Sequence, residues 1–564
     1  MTEKQNGKKW RLVKSIFKWL FIITLALLLL VGLIFRAPLK VLTLLAIFLL
    51  ACTVLPRPAR KWFWLSIGVL VIVLVVWIFL PDDNEGWRPY TFDEERARLQ
   101  AKYAIPDEDN AALLYAQLLS YEQKYERQDQ ERQLEKKENQ LMKEAFEGIP
   151  IADINEWFAR FPHSSFYPSF WNRELDDLTR YKAWSSKDYP HIAQWLQTHK
   201  SAITNLIKAS QKNECRFLIP CDSFSISKLM KRTGTMSRWA LLLIRSANND
   251  LGDERIDRAI EKCIAVLQMA KHQYQHPLLV QLLVGFSIEE RANQQLTRFI
   301  IEEKIRNEHL NIIEEALANV IHDWRADWLR ILEYEKLIYK NTVCGLFFQI
   351  NSKGKVRSSR DPTALIRAEF TKEMVPTTFC QQKLNRLFVI FRWFYMPSTP
   401  QKVVSIIDKA YEKYYVMADP EYDWQQEPKE TSIFSTSTRL NYSYMVKLFA
   451  DMLTETIYKI HDMYMWTSAE HRVCRIIVLL RKYKNKQGYW PESLEGIKSP
   501  ASSEVFVDPI NDGDFVYKLT EENFTLYSRG KNNIDEKGER GIKEQGGTRL
   551  DDTLFWPQKF LKVK

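Results

Sequence analysis

Residues 253–273 read DERIDRAIEKCIAVLQMAKHQ, and this stretch decides the fold class. Ile256, Ala259, Ile260, Cys263, Ile264, Leu267 and Ala270 recur at i, i+3 and i+4 spacing, so a helix would gather them into one apolar stripe. Asp253 supplies an N-cap or first-turn carboxylate. The same period predicts helices near 190–211, 235–248, 277–300, 306–320, 324–341, 380–394 and 400–416, and a long helical stretch over 440–485. Asp107-Glu108-Asp109-Asn110 starts another, with Ala111, Leu113, Leu114, Leu118 and Leu119 on its apolar side. The expected fold class is mainly α. It comprises N-terminal transmembrane helices, a large all-α ectodomain over 92–464 and a small α+β C-terminal module over 465–564.

The chain has 564 residues, with 80 Lys and Arg against 70 Asp and Glu, for a net charge of +10. That excess is local. Residues 1–61 carry eleven basic residues and one acid, Glu3, and the remainder is neutral. The basic residues flank three apolar runs, 19–35, 41–55 and 62–80, none of which holds a charge. A spanning helix needs about 20 apolar residues, and Lys40 can snorkel beside the short middle run. Three transmembrane helices (19–80) are expected behind a basic cytoplasmic tail at 1–18. The Lys and Arg balance of the short loops puts that tail, Arg57, Arg60 and Lys61 inside, and residues beyond 80 outside. The expected location is a bacterial inner (cytoplasmic) membrane, multi-pass, with the large C-terminal part extracytoplasmic. A cleaved signal peptide fits less well, because residues 27–30 are all leucine and no small-x-small site precedes Arg36. Charge so confined also argues against a nucleic-acid-binding face.

Residues 81–91 read as a juxtamembrane linker. Stretch 128–144 is almost wholly polar and reads as a solvated helix or loop. Trp157, Phe158, Phe161, Phe166, Tyr167, Phe170 and Trp171, broken by Pro162 and Pro168, read as irregular packing onto the helices. Segments 352–362 and 417–437 read as loops. Cys52 lies in the second apolar run, and Cys215, Cys221, Cys263, Cys344, Cys380 and Cys474 follow. An even count permits disulfides in an oxidising compartment, with Cys215 and Cys221 the nearest local pair. Cys263 and Cys474 fall in helical apolar patterns and read as small buried hydrophobes. No C-x-x-C occurs, which excludes a standard zinc–thiolate site.

After Gln487 the composition changes. Tyr489-Trp490-Pro491-Glu492-Ser493-Leu494 reads as a turn and short helix. Segments 515–519 and 524–528 alternate as strands around Thr520-Glu521-Glu522-Asn523, which makes a hairpin. A Gly-, Asn- and Asp-rich loop covers 529–552, and 553–556 reads as a third strand.

The ordered succession of the 469–483 helix, Gly488-Tyr489-Trp490-Pro491, Val507-Asp508-Pro509, Phe524-Thr525-Leu526-Tyr527-Ser528-Arg529-Gly530 and Asp551-Asp552-Thr553-Leu554-Phe555-Trp556 covers roughly a sixth of the chain. It resembles the C-terminal part of the major pseudopilin of type II secretion systems. In that family a long helix, a G-x-Y-P turn, a strand pair and an acidic calcium-binding loop follow one another. The resemblance implies calcium ligands at Asn532, Asp535, Asp551 and Asp552, helped by backbone carbonyls, since calcium takes about six to eight hard oxygens. The plainer alternative is that these residues cap turns. The chain departs from the family in the long intervening region, and no prepilin cleavage site precedes the first apolar run, so polymerisation as a pilin is not expected. Segments Ile105-Pro106-Asp107-Glu108-Asp109-Asn110-Ala111-Ala112 and Cys215-Arg216-Phe217 also resemble bacterial envelope proteins that join a membrane anchor, a helical ectodomain and this module. That resemblance brings no catalytic residue with it.

Catalytic motifs are sparse. No phosphate loop, dinucleotide fingerprint or H-E-x-x-H occurs. Gly285-Phe286-Ser287-Ile288-Glu289 lacks the second glycine of a nucleophile elbow and falls within a helical pattern. His272 and His276 stand at i, i+4 and could present two imidazoles to a metal, with Glu289 and Glu290 as further ligands. Pro277 places His276 at a helix end, where an imidazole also suits the dipole. The adjacent pairs His322-Asp323 and His461-Asp462 point apart on a helix. Glu333 and Glu335 lie among apolar residues, as acids of raised pKa or as partners of Arg325 and Arg330. The expected function is that of a membrane-anchored extracytoplasmic envelope protein with a non-catalytic binding or scaffold role. Its partners would be the membrane and envelope or secretion proteins, with no nucleic acid. The alternatives are an accessory component of a type II secretion or pilus-like apparatus, and a metal-dependent hydrolase using His272 and His276.

Overall fold

The computed structural model describes residues 86–119, 178–217, 226–358 without 304 and 321, 399–424 without 420 and 423, and 442–558 without 499, 522 and 543–548. In chain order the principal elements are β1 (Trp87–Pro89), α1 (Asp93–Lys102), α2 (Pro190–Thr198), α3 (Lys200–Ser210), α4 (Ile226–Gly252), α5 (Ile256–Tyr274), α6 (Leu279–Glu302), α7 (Asn307–Ala318) and α8 (Trp324–Phe347). There follow β2 (Phe348–Asn351), β3 (Val356–Ser358), α9 (Pro400–Val416), α10 (Tyr442–Gln487), β4 (Val516–Leu519), β5 (Phe524–Ser528), β6 (Arg540–Ile542), β7 (Arg549–Asp551) and β8 (Thr553–Trp556). The chain is mainly helical.

Among the described residues no helix is long and apolar enough to cross a membrane. This corrects the expectation of N-terminal transmembrane helices, and with it the expected multi-pass inner-membrane location. The physical reason lies in the helices themselves. Even α10, at 46 residues, is interrupted by Lys447, Asp451, Glu455, Lys459, Asp462 and Glu470, where a span needs about 20 consecutive apolar positions. The runs 19–35, 41–55 and 62–80 lie outside the described residues, as do the aromatic cluster at 157–171, the helix at 380–394, Cys52, Cys221 and Cys380.

The chain divides into two compact units, one of Met1–Ala97, Pro220–Ser225 and Lys336–Ile457, the other of Arg98–Ile219, Ile226–Glu335 and Tyr458–Lys564. In the first, β1, β2 and β3 form an antiparallel sheet in that order, with Trp87 opposite Asn351 and Phe348 opposite Ser358. The β2–β3 turn is set locally: Asn351 Oδ1 accepts from the amides of Lys353 (3.1 Å) and Lys355 (2.9 Å), and Gly354 takes φ +74°. Segments read as a linker and a loop thus supply the two outer strands of this sheet. The buried Lys340 pairs with Glu95 (3.4 Å) and Asp408 (3.2 Å). Helix α9 begins with Pro400 after Thr399, whose hydroxyl accepts from Lys402 N.

In the second unit α5 is the central helix, packed against α3, α4, α6 and α7. Most of its stripe is buried as the period predicts: Ala259, Ile260, Cys263, Leu267 and Ala270 are at most 3 % exposed, while Ile256 and Ile264 are half-buried. The α4–α5 turn is locked by Arg255, which reaches Asp250 (2.7 Å) and Asp253 (2.8 Å). The stretch read as one helix at 190–211 breaks at His199, whose Nδ1 lies 2.8 Å from Trp195 O. The hairpin is present, with Val516 opposite Tyr527 and Leu519 opposite Phe524, and β8 completes an antiparallel β4-β5-β8 sheet. Trp490, Phe506, Phe515, Phe524, Leu526 and Trp556 are buried around it. Strands β6 and β7 pair separately.

Candidate functional site

The loop after β5 runs through four left-handed residues, Gly530 (φ 62°), Asn533 (55°), Lys537 (62°) and Gly538 (77°). Such backbone costs about 1 kcal/mol at each non-glycine position, so side chains must hold it. Asp551 Oδ2 accepts from the amides of Lys531 (2.9 Å) and Asn532 (3.2 Å), and Asp552 Oδ2 from those of Glu536 (2.8 Å) and Gly538 (2.9 Å). Glu536 reaches back: its Oε2 accepts from Asp551 N (2.7 Å) and Asp552 N (3.2 Å). The arrangement brings three carboxylates together, with one oxygen of each inside a 4.8 Å cluster. Asp552 is fully buried. Asp551 Oδ1 and Asp552 Oδ1 are buried and lack a hydrogen-bond partner among the described residues. Burial first, and then the neighbouring carboxylates of Glu536 and Asp535, raise the Asp552 pKa against the amide hydrogen bonds that lower it. Gly530 is required here twice over. It takes φ +62°, and a Cβ on it would stand 2.5 Å from Asp551 Oδ1.

Of the four residues expected to bind calcium, the structure brings Asp551 and Asp552 together. Asn532 instead caps the turn, accepting from Ile534 N (2.7 Å) and donating to Glu536 Oε1 (3.1 Å). Asp535 accepts from the Tyr527 hydroxyl (2.6 Å) and pairs with Lys518 (3.3 Å). Glu536 was missed, although it lies beside Asp535 in the same acidic stretch. The chemistry fits a hard cation: the donors are carboxylate oxygens, and two of them are buried and bare.

A second cluster lies in the helical core. Glu289 of α6 is fully buried. Its Oε1 lies 3.0 Å from His322 Nε2 and 2.8 Å from His471 Nδ1, and its Oε2 accepts from the Tyr274 hydroxyl at 2.5 Å. His471 of α10 turns its other nitrogen, Nε2, to Leu317 O at 3.0 Å, a carbonyl in the last turn of α7 where intrahelical partners run out. His322 precedes α8. Its neighbour Asp323 caps that helix by accepting from Ala326 N (3.0 Å), while the imidazole turns inward. Burial alone would raise the Glu289 carboxyl, but His322 and His471 outweigh it and hold the pKa far below the carboxylate range. The opposite happens to its neighbours. Burial, then Glu290 and Glu289, push Glu470 well up, and burial pushes Asp327 up to about 6 against Arg330 and His322. In the sequence Glu289 stands near His272 and His276 and in the Gly285 stretch, His322 stands beside Asp323, and no pattern marks His322 or His471 as its partners.

His272 and His276 do not converge. Burial pushes His272 down to about 4. Its Nε2 donates to Lys212 O (2.7 Å), so Nδ1 accepts from the Tyr115 hydroxyl at 3.0 Å. His276 stacks on Phe217 and places Nε2 3.6 Å from Cys215 Sγ. Glu333 pairs with Lys102 (2.8 Å) and Tyr103 (2.7 Å) rather than with Arg325 or Arg330. Glu335, raised by burial, accepts from Leu279 N at the start of α6. His461 packs edge-on against Trp324 and is pushed by burial to about 3. Cys263 and Cys474 are buried thiols, each pushed by burial up to about 12. No family model matches the chain, and neither a curated protein nor a solved structure matches it.

Proposed function

We propose that the chain is a non-catalytic binding or scaffold protein whose C-terminal module is a docking unit ordered by one calcium ion. The observation that carries this reading is the pair of buried, unpartnered oxygens, Asp551 Oδ1 and Asp552 Oδ1, beside Glu536. Burying carboxylate oxygens without a donor or cation costs about 1–3 kcal/mol each, and more when they are charged. A calcium ion removes that cost. It would take the two bare oxygens, with carbonyls and water filling its remaining positions. Ordering the loop then fixes an exposed apolar tip, Ile534 at 60 % exposure, as a contact for another protein.

The test is co-purification and thermal melting of the full chain with calcium and with a chelator. Calcium is expected to raise the melting temperature and to retain partners, envelope or secretion proteins among them. Asp552→Asn is expected to abolish both effects. A melting curve indifferent to calcium, with unchanged partners, would remove the proposal.

A further inference from the structure

Three donors of another kind meet in the core, far apart in sequence. Glu289 and His322 lie 33 residues apart, and Glu289 and His471 lie 182 apart. We infer that Glu289, His322 and His471 form a binding site for one divalent transition metal of the zinc class.

The donor set is two imidazole nitrogens and one carboxylate oxygen, all within 4.8 Å of one another, which is a combination zinc takes readily. Two of the three ligands are already held through the atom that points away from the shared centre, as metal ligands usually are. His471 Nε2 is tied to Leu317 O, which leaves Nδ1 to face the centre, and the Tyr274 hydroxyl holds Glu289 Oε2, which leaves Oε1 to do so. Around them stand buried polar atoms without a hydrogen-bond partner among the described residues. They are His322 Nδ1, Asn293 Oδ1 and the hydroxyl of Tyr464, whose ring lies 5.5 Å from that of His322. A buried network so incompletely satisfied is expected where an ion is part of the structure. Three protein ligands leave a fourth position for water. Binding balances by proton release: any proton on His322 Nε2 or His471 Nδ1 leaves to solvent as the metal takes its place, each imidazole binding in its neutral form with the remaining proton on its other nitrogen, while Glu289 binds as a carboxylate. The ion would then join α6, the segment before α8, and α10.

The test uses the full chain, stripped with a chelator and titrated with cobalt(II) and with zinc alone. One equivalent of cobalt is expected to give the visible ligand-field bands of a four- or five-coordinate site. Glu289→Gln should lose them, and His471→Cys should add a thiolate-to-cobalt charge-transfer band. Because these variants alter the core, the wild-type chain is also examined loaded with zinc by X-ray absorption. A shell containing two imidazoles supports the site. An all-oxygen shell, which would place the metal on Glu536, Asp551 and Asp552, overturns it. So does the absence of any stoichiometric cobalt or zinc, which would leave the three groups as a hydrogen-bonded ion cluster.

Discussion

A Cβ built on Gly285 would stand 2.5 Å from Tyr274 Cε1 and 2.7 Å from Cδ1. The phenol ring at the end of α5 occupies the space that any other residue at 285 would fill. One helical turn further along α6, Glu289 receives the hydroxyl of that same ring. The glycine read in sequence as a failed nucleophile elbow is thus a packing device that lets Tyr274 reach the buried carboxylate.

Gly285→Ala sets two effects against each other. Alanine favours the helix by about 1 kcal/mol, whereas overpacking a buried ring costs about 1–3 kcal/mol. The ring is buried and cannot swing out, so net destabilisation of up to about 2 kcal/mol is expected. A lower urea midpoint with unchanged slope checks it.

The charge on the Glu289 cluster should shape stability against pH. His322 is held above its ordinary value because Glu289 outweighs its burial, while Glu289 is depressed. The histidine contribution is complete below the unfolded value of about 6.5 and is lost as pH rises through the raised value. The glutamate contribution is complete above about 4.3 and is lost as pH falls toward the depressed value. Between these limits the cluster stabilises fully. Tyr274, Asp327, Tyr464, Glu470 and His471 face the same carboxylate or its imidazole partner, and Asp327 titrates inside the window, at about 6. Urea midpoints of wild type and His322→Gln across pH should differ most within the window and converge above it. A constant difference at every pH would count against the cluster's charge.

Tyr115→Phe leaves His272 Nδ1 without its donor in a fully buried site. The expected cost is about 1–3 kcal/mol, read as a lower melting temperature. Any metal content should stay unchanged, because His272 and His276 do not converge on one point.

The helices were legible because their stripes repeat over many residues, as α5 shows from Ile256 onward. The hairpin was legible because its turn hydrogen-bonds locally, Thr520 N to Asn523 O at 2.8 Å. What escaped was non-local. Strand β1 is three residues long, includes Pro89 and finds its partner β2 at residues 348–351, so no period of its own could announce it. His471 sits mid-helix between Glu470 and Arg472 with no motif to mark it, and only folding brings it to Glu289. The expected membrane spans are the opposite case: a strong local signal at 19–80, with no spanning helix among the described residues.

Gly530→Ala should act on the acidic loop without touching a carboxylate. The added methyl would drive into Asp551, and φ +62° disfavours it independently. Calcium-dependent stabilisation should shrink or vanish, while the far-ultraviolet helical signal persists.

The most direct measurement is a calorimetric calcium titration of the chelator-stripped full chain beside Asp552→Asn. One site on the wild type, absent from the variant, is the predicted result. Equal isotherms for the two proteins, or no heat from either, would contradict a calcium-ordered docking module.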